Sequence, residues 1–255
     1  CYRGNEREFV FTDECNGRRL MKVKYINGDD YSNIYVVGDI HGAYTQLKDK
    51  LKEVGFNYNT DLLIAVGDLV DRGKENEKCV GLLNEHWFTS IKGNHEDFCY
   101  KGMMDDRIKF YHRMSNNGGE WFYELPEQVM EAVGRRLNQL PILLELKYKG
   151  KKFGFVHADL PVQDWELAKE MLEQGDYIGD RSFEDYLLWS RGIIDDYENT
   201  GKTVNIAQVD NVFLGHTVLE EVTQVGNCTF LDTGGVFQKF DNGYKLSIVK
   251  LSDYC

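Results

Sequence analysis

The chain has 255 residues, 42% of them hydrophobic and 28% charged, with a formal net charge of −12. That length affords a sizeable core without staples and suits one large α/β unit, and the composition is that of an ordinary globular protein. The acidic balance, with no run of Lys and Arg, argues against nucleic acid and anionic membranes as partners, and no run of 18 apolar residues offers a transmembrane helix.

In chain order, residues 1–20 show weak periodicity and no clear element. They are expected to be an N-terminal extension or remnant ahead of a single domain over 21–255. From Ile34 the pattern sharpens. IYVVGD reads as a short buried strand closing on a tight turn. AYTQLKDKLKEVGF follows, with Leu47, Leu51 and Val54 at helical spacing and Gly55 placed as a C-cap. The unit repeats: strand DLLIAVGD, a helix around ENEKCVGLLNEH, then strand WFTSIKGNHE. Strand–helix–strand alternation implies an α/β fold with a parallel sheet covered on both faces. Residues 100–150 read as mainly helical, interrupted by Asn-Asn-Gly-Gly at 116–119, until PILLELKYKG and KKFGFVHAD resume as strands. Residues 160–206 read as helices and loops, and the last fifty as strands: NVFLGHT, EVTQVGN, CTFLDTGG and YKLSIVKL. Six scattered cysteines form no C-x-x-C pair. That is the pattern of reduced thiols in a cytoplasmic protein.

Five polar clusters each follow an expected strand: Asp39-Ile-His41-Gly42; Asp68 with Asp71-Arg72-Gly73; Gly93-Asn94-His95-Glu96; His157-Ala-Asp159; and Gly215-His216-Thr217. In open α/β sheets the carboxyl ends of the strands line the ligand crevice, so five strands can deliver these groups to one place. Taken singly each cluster is weak. A lone D-x-H arises by chance, a histidine in an apolar strand is more often a satisfied core residue, and Gly-Asp is often only a turn. Together they supply the oxygen and imidazole donors that two divalent ions need, including a carboxylate to bridge them.

G-D-I-H-G, G-D-L-V-D-R-G and G-N-H-E, followed by F-V-H-A-D and L-G-H-T, resemble the calcineurin-like metallophosphoesterases, and more narrowly the phosphoprotein phosphatase family with its phage and bacterial members. IYVVGD, NGGEW and DTGGVF extend the likeness from about Met21 to the C-terminus. The resemblance implies a four-layer αββα sandwich (α/β, or α+β) with two metals at the C-terminal ends of the strands. It implies that Asp39 and His41 hold the first metal, that Asp68 bridges, and that Asn94, His157 and His216 hold the second. Arg72 would grip phosphate, with Arg191 of LLWSRGII as a second phosphate-binding arginine. His95 would protonate the leaving alkoxide, oriented by Asp71. Mixed O/N ligation suits Mn²⁺, and also Fe or Zn.

The expected activity is a metal-dependent serine/threonine protein phosphatase, permissive toward other phosphomonoesters, in which a hydroxide generated between the metals attacks phosphorus. Its partner would be a phosphoprotein or phosphopeptide, with no obligate regulatory subunit implied. Its location would be the cytoplasm, of the host if phage-encoded. Two alternatives stand beside it. Hydrolysis of a dinucleoside tetraphosphate or phosphodiester would use the same scaffold, and a non-catalytic binding scaffold should have lost ligands that are present here. His86 and His112 lie outside every motif and are expected at the surface. Asp159 either supports His157 or ends its strand. The aromatic residues are expected in the core and cleft wall.

Overall fold

The computed structural model describes residues 21–237 and 243–255, so the extension expected over 1–20 lies outside the described residues. The described residues open with Val23–Asn27 (β1), a strand the sequence pattern did not mark, then Ile34–Val37 (β2), Tyr44–Glu53 (α1), Leu62–Ala65 (β3), Asn76–Gly81 (α2), Phe88–Ser90 (β4) and Asn94–Lys101 (α3). The helix expected around 75–86 is shorter than its pattern. After Gly81 the chain tightens into a 3-10 turn over Leu82–Asn84, which turns it into β4. Asp106–His112 (α4), Glu120–Tyr123 (α5) and Glu127–Asn138 (α6) fill the helical stretch. Leu143–Tyr148 (β5) and Lys151–Phe155 (β6) follow, then Trp165–Gln174 (α7), the small hairpin Tyr177–Ile178 (β7) and Arg181–Ser182 (β8), Phe183–Trp189 (α8) and Gly192–Thr200 (α9). Asn211–Leu214 (β9), Thr223–Val225 (β10), Cys228–Phe230 (β11) and Ile248–Lys250 (β12) complete the described elements.

The strands divide between two main sheets, ordered β12-β2-β3-β4 and β1-β5-β6-β9-β11-β10. The parallel sheet implied by alternation is real for β2, β3 and β4. The second sheet is mixed: β6 is antiparallel to β5 and parallel to β9. A single sheet with helices on both faces is therefore corrected to two sheets facing each other. A strand's side chains alternate between faces, and β2 uses both. Tyr35 and Val37, with Leu63 and Ala65, pack against Leu47 and Leu51 of α1 and Leu137 of α6. Ile34, Val36, Leu62 and Ile64 instead meet Leu144, Leu146, Phe153 and Phe155 of the other sheet. The outer face of that sheet, with Leu143, Val212, Leu214 and Phe230, lies under Trp165, Leu187 and Ile194 of α7, α8 and α9. Helix, sheet, sheet, helix is the four-layer sandwich the motifs implied. Burying one leucine such as Leu47 contributes about 1.5–3 kcal/mol, so this stripe pins α1 to the sheet more firmly than helix propensity does. No helix among the described residues is long and apolar enough to cross a membrane.

Candidate active site

The loops after β2, β3, β4, β6 and β9 bring the motif residues together. Asp39, His41, Asp68, Asp71, Asn94, His95 and His157 are all buried, His216 and Arg72 are half-buried, and Arg191 is exposed. The backbone there departs from ordinary geometry. Of seven described non-glycine residues with positive φ, five are His41, Asp68, Asp71, Arg72 and His216. Such conformations cost about 1–3 kcal/mol each and persist only where the surroundings over-determine them. At the Asp68 turn the surroundings are Glu96 and Gly93. The buried Glu96 carboxylate accepts the backbone N–H groups of Asp68, Leu69 and Gly93, each at 2.8 Å. Any side chain at Gly93 would strike the Asp68 carboxylate and backbone nitrogen. Burial and the nearby Asp68 charge push the Glu96 carboxyl up to about 7. Glu96 was visible in G-N-H-E, but nothing in the sequence assigned it this support.

Asp68 stands between two donor groups. Its Oδ2 is 3.5 Å from His41 Nε2, and its Oδ1 is 3.5 Å from His157 Nε2. On the first side, Asp39 Oδ2 is 4.0 Å from His41 Nε2, and Arg72 Nη1 is 2.5 Å from that same nitrogen. On the second side, Asn94 Oδ1 is 2.9 Å from His157 Nε2 and 2.8 Å from His216 Nδ1. His41 Nδ1 and His157 Nδ1 face the carbonyls of Val70 and Val66, both at 2.8 Å, so each donates there and leaves its Nε2 lone pair facing the site. Burial, with Arg72 and His95 nearby, holds His41 well below the usual histidine range, and burial also lowers His157. Burial, His157 and Arg191 take His216 down to about 2.

These residues fit a pair of divalent cations. With its Nδ1 proton given to Val66, His157 turns a bare Nε2 toward the Asn94 amide oxygen and the Asp68 carboxylate, with no proton between to satisfy them. Ligands at about 2.1 Å from a shared cation stand roughly 3 Å apart, close to the spacings seen here. Buried carboxylates crowd the first side. Asp39 is raised well above the carboxylate range by burial, then by Asp232 and Asp68; Asp232 is pushed up to about 6, mainly by burial. His216 Nε2 and Asp232 Oδ2 are buried without a hydrogen-bond partner among the described residues. Cations relieve that concentration of negative charge. Asp232 comes from the D-T-G-G stretch, whose pattern alone assigns its acid no role.

Beside this group, His95 Nδ1 is 2.7 Å from Asp71 Oδ2, its backbone N–H donates to Asp68 Oδ1 at 3.0 Å, and its Nε2 lies 3.9 Å from Asp68 Oδ2. Burial opposes charge on His95, but Asp68 and the Asp71 hydrogen bond outweigh it and raise its pKa. Asp71 is held well below the carboxylate range despite burial, by hydrogen bonds from His112 and His95. His112 is a correction. Expected at the surface, it is fully buried, with Nε2 2.7 Å from Asp71 Oδ2. Its place beyond every motif gave no sign of this, because the contact depends on how α4 folds back. His86 is exposed as expected.

Arg191 is the N-cap residue of α9. Asp159 takes the next backbone donors, Gly192 N–H at 2.9 Å and Ile193 N–H at 3.3 Å. Asp159 therefore anchors the turn that carries Arg191, a third possibility beside the two left open by sequence.

Known proteins resemble this chain in sequence and in fold. A family model described as calcineurin-like phosphoesterase matches residues 32–220. Serine/threonine-protein phosphatase 2 of Salmonella typhimurium is 33% identical over 219 residues, covering 84% of this chain and 93% of that protein. Bis(5'-nucleosyl)-tetraphosphatase PrpE [asymmetrical] of Bacillus cereus (strain Q1) is 25% identical over 227 residues, covering 79% and 85%. A solved structure provisionally described as a diadenosine tetraphosphatase superposes with TM-score 0.62 at 22% identity, covering 92% of this chain and 96% of that one, a likeness of fold. With its motif residues gathered at the strand ends and the family model spanning most of its length, the chain belongs to the calcineurin-like phosphoesterases.

Proposed function

We propose that this protein is a metal-dependent serine/threonine phosphoprotein phosphatase, permissive toward other phosphomonoesters. Asp39 and His41 would hold one cation, Asn94, His157 and His216 the other, and Asp68 would be shared between them. When bound, such a pair supplies Lewis acidity toward water and phosphoryl oxygen. The chain's own groups do the rest. Arg72 and Arg191 offer forked guanidinium donors matched to phosphate oxygens. Asp71 accepts only, so His95 must be protonated on Nδ1. The Asp71 charge also favours a second proton on Nε2, ready for a departing oxygen.

The observation that carries this reading is the buried Asp71–His95 pair at 2.7 Å. A serine or threonine alkoxide leaves poorly without a proton, so a poised acid is valuable to a protein phosphatase. Cleavage of a nucleotide anhydride expels a phosphate anion that is stable unprotonated. The pair thus favours the phosphoester over the dinucleoside tetraphosphate, although relatives carry both names. The test compares kcat/KM of the metal-loaded protein on a phosphoserine peptide and on diadenosine tetraphosphate. The expected result is preference for the peptide, and turnover of the dinucleotide alone would overturn the reading.

A further inference from the structure

The Asp71 carboxylate is fully buried and must be satisfied by donors, since a buried charge without hydrogen bonds is costly. Three side-chain donors reach it. His95 Nδ1 and His112 Nε2 both lie 2.7 Å from Oδ2, and Trp121 Nε1 lies 2.6 Å from Oδ1. Only His95 belongs to the strand-end motifs. The other two come from α4 and α5, on either side of the Asn-Asn-Gly-Gly turn. Because the carboxylate only accepts, His112 Nε2 carries a proton. Its other nitrogen, Nδ1, is 2.9 Å from the Tyr123 hydroxyl. Tyr123, His112, Asp71 and His95 therefore form one continuous hydrogen-bonded chain ending at the site.

The ring is also held sterically. Phe98 stacks on it at 5.3 Å and 16°, and Phe98 in turn packs edge-on against His95 and Trp189. Gly119 gives its N–H to the His112 carbonyl at 3.0 Å, and any side chain at Gly119 would run into the His112 ring. The N-G-G-E-W stretch thus places His112 and Trp121 on the two oxygens of a single carboxylate.

We propose that His112 is a positioning residue for His95: together with Trp121 it fixes both oxygens of Asp71, so that the Asp71–His95 hydrogen bond aims the His95 ring at the leaving group. The inference rests on the phosphomonoesterase reading above and names a further residue of that site. His112 touches neither substrate nor the proposed ligands, and acts through Asp71.

A merely space-filling histidine and a positioning histidine respond oppositely to two substitutions. His112→Phe keeps ring volume and the Phe98 stack but removes the donor. His112→Gln loses the ring but can present an N–H near the former Nε2. If His112 positions His95, His112→Phe lowers kcat on a phosphoserine peptide by about 10- to 100-fold, the scale seen when a partner that orients a functional group is removed. KM, metal content and the rate on p-nitrophenyl phosphate stay close to wild type, and His112→Gln recovers most of the loss. Combined with His95→Asn, His112→Phe adds nothing further, because the group it orients is gone.

Near-normal turnover in His112→Phe with a larger loss in His112→Gln would overturn the inference in favour of packing. Equal losses on both substrates, additive with His95→Asn, would overturn it as well. If neither variant folds, as judged by circular dichroism, Trp121→Phe and Tyr123→Phe carry the same test. Each is expected to lose rate selectively on the phosphoserine peptide, and wild-type rates in both would overturn the inference. Wild-type protein that hydrolyses no phosphomonoester would instead overturn the underlying reading, so the two failures are told apart.

Discussion

At the strand ends, the ligand-type side chains sit within a few residues of β2, β3, β4, β6 and β9 and are locked by nearby backbone: His41 by the Val70 carbonyl, His157 by the Val66 carbonyl, Asp68 by the His95 amide. The helical stretch from α4 to α5 contributes quite differently. His112 and Trp121 meet Asp71 side chain to side chain, with no backbone group in the contact. The strand ends set where charge is held, and the helical stretch sets how one carboxylate is aimed. Groups of the first kind bear on whether the site assembles at all. Groups of the second kind bear on one step of the chemistry, and their loss should show only on substrates that need that step.

The largest expected effect strikes the strand ends. Chelation should abolish turnover, and Mn²⁺ should restore it. If Asp68 is shared as proposed, Asp68→Asn would leave both cations without that carboxylate; removing one partner of a buried charge interaction costs about 3–5 kcal/mol, so both cations should be lost or weakly held. Elemental analysis checks this, and a normal two-metal content would refute the bridging role. Next come the arginines. Arg72 is half-buried, with Nη1 against His41 and Nε toward the Asn116 carbonyl at 3.3 Å. A hydrogen bond to a charged group contributes about 1.5–3 kcal/mol, so Arg72→Ala should weaken phosphate inhibition and raise KM by about 10- to 100-fold with metals retained. Arg191 is exposed and more screened, so Arg191→Ala should do the same by less than about tenfold. Wild-type kinetics and phosphate inhibition in Arg191→Ala would remove it from the site.

Gly119→Ala sharpens the contrast from the helical side. Crowding a packed ring costs about 1–3 kcal/mol, to be read as a fall in Tm, with metal content unchanged. Loss of metal from this variant would mean that the two regions are not separable. The smallest effect is expected from deleting residues 1–20, which lie before every motif. Unchanged turnover of the shortened protein would support a single domain over 21–255, and loss of folded protein would oppose it.

What the sequence made legible follows the same division. Asp39, His41, Asp68, Asn94, His157 and His216 stand out because each terminates an apolar run with Gly nearby, so local pattern and destination coincide. The pairing of β5 with β6 and the facing of two sheets did not stand out. A strand buried on both faces has the same apolar pattern whether a helix or a second sheet covers it. Strand β1 does not stand out because Lys24 interrupts its short apolar run and only Val23 is buried. His112 was misread because its partners come from α3, α5 and the Asp71 turn, none adjacent in sequence. Trp121 and Asp232 lay inside quoted motifs, but a motif without geometry does not say which atom a side chain meets. Glu96 shows the limit most directly: one residue from His95, it serves two backbone amides of the Asp68 turn and that of Gly93 in its own loop rather than any reacting group.

The most direct measurement compares His95→Asn with wild type on a phosphoserine peptide and on p-nitrophenyl phosphate, under conditions where a solvent isotope effect shows that chemistry limits both rates. General acid catalysis is typically worth about 10²–10⁴-fold, and only the alkoxide needs it. The expected result is a loss of that order on the peptide, a much smaller loss on p-nitrophenyl phosphate, and metal content close to normal. Equal losses on the two substrates would contradict the role of His95 as proton donor, and loss of metal would place it among the ligands instead.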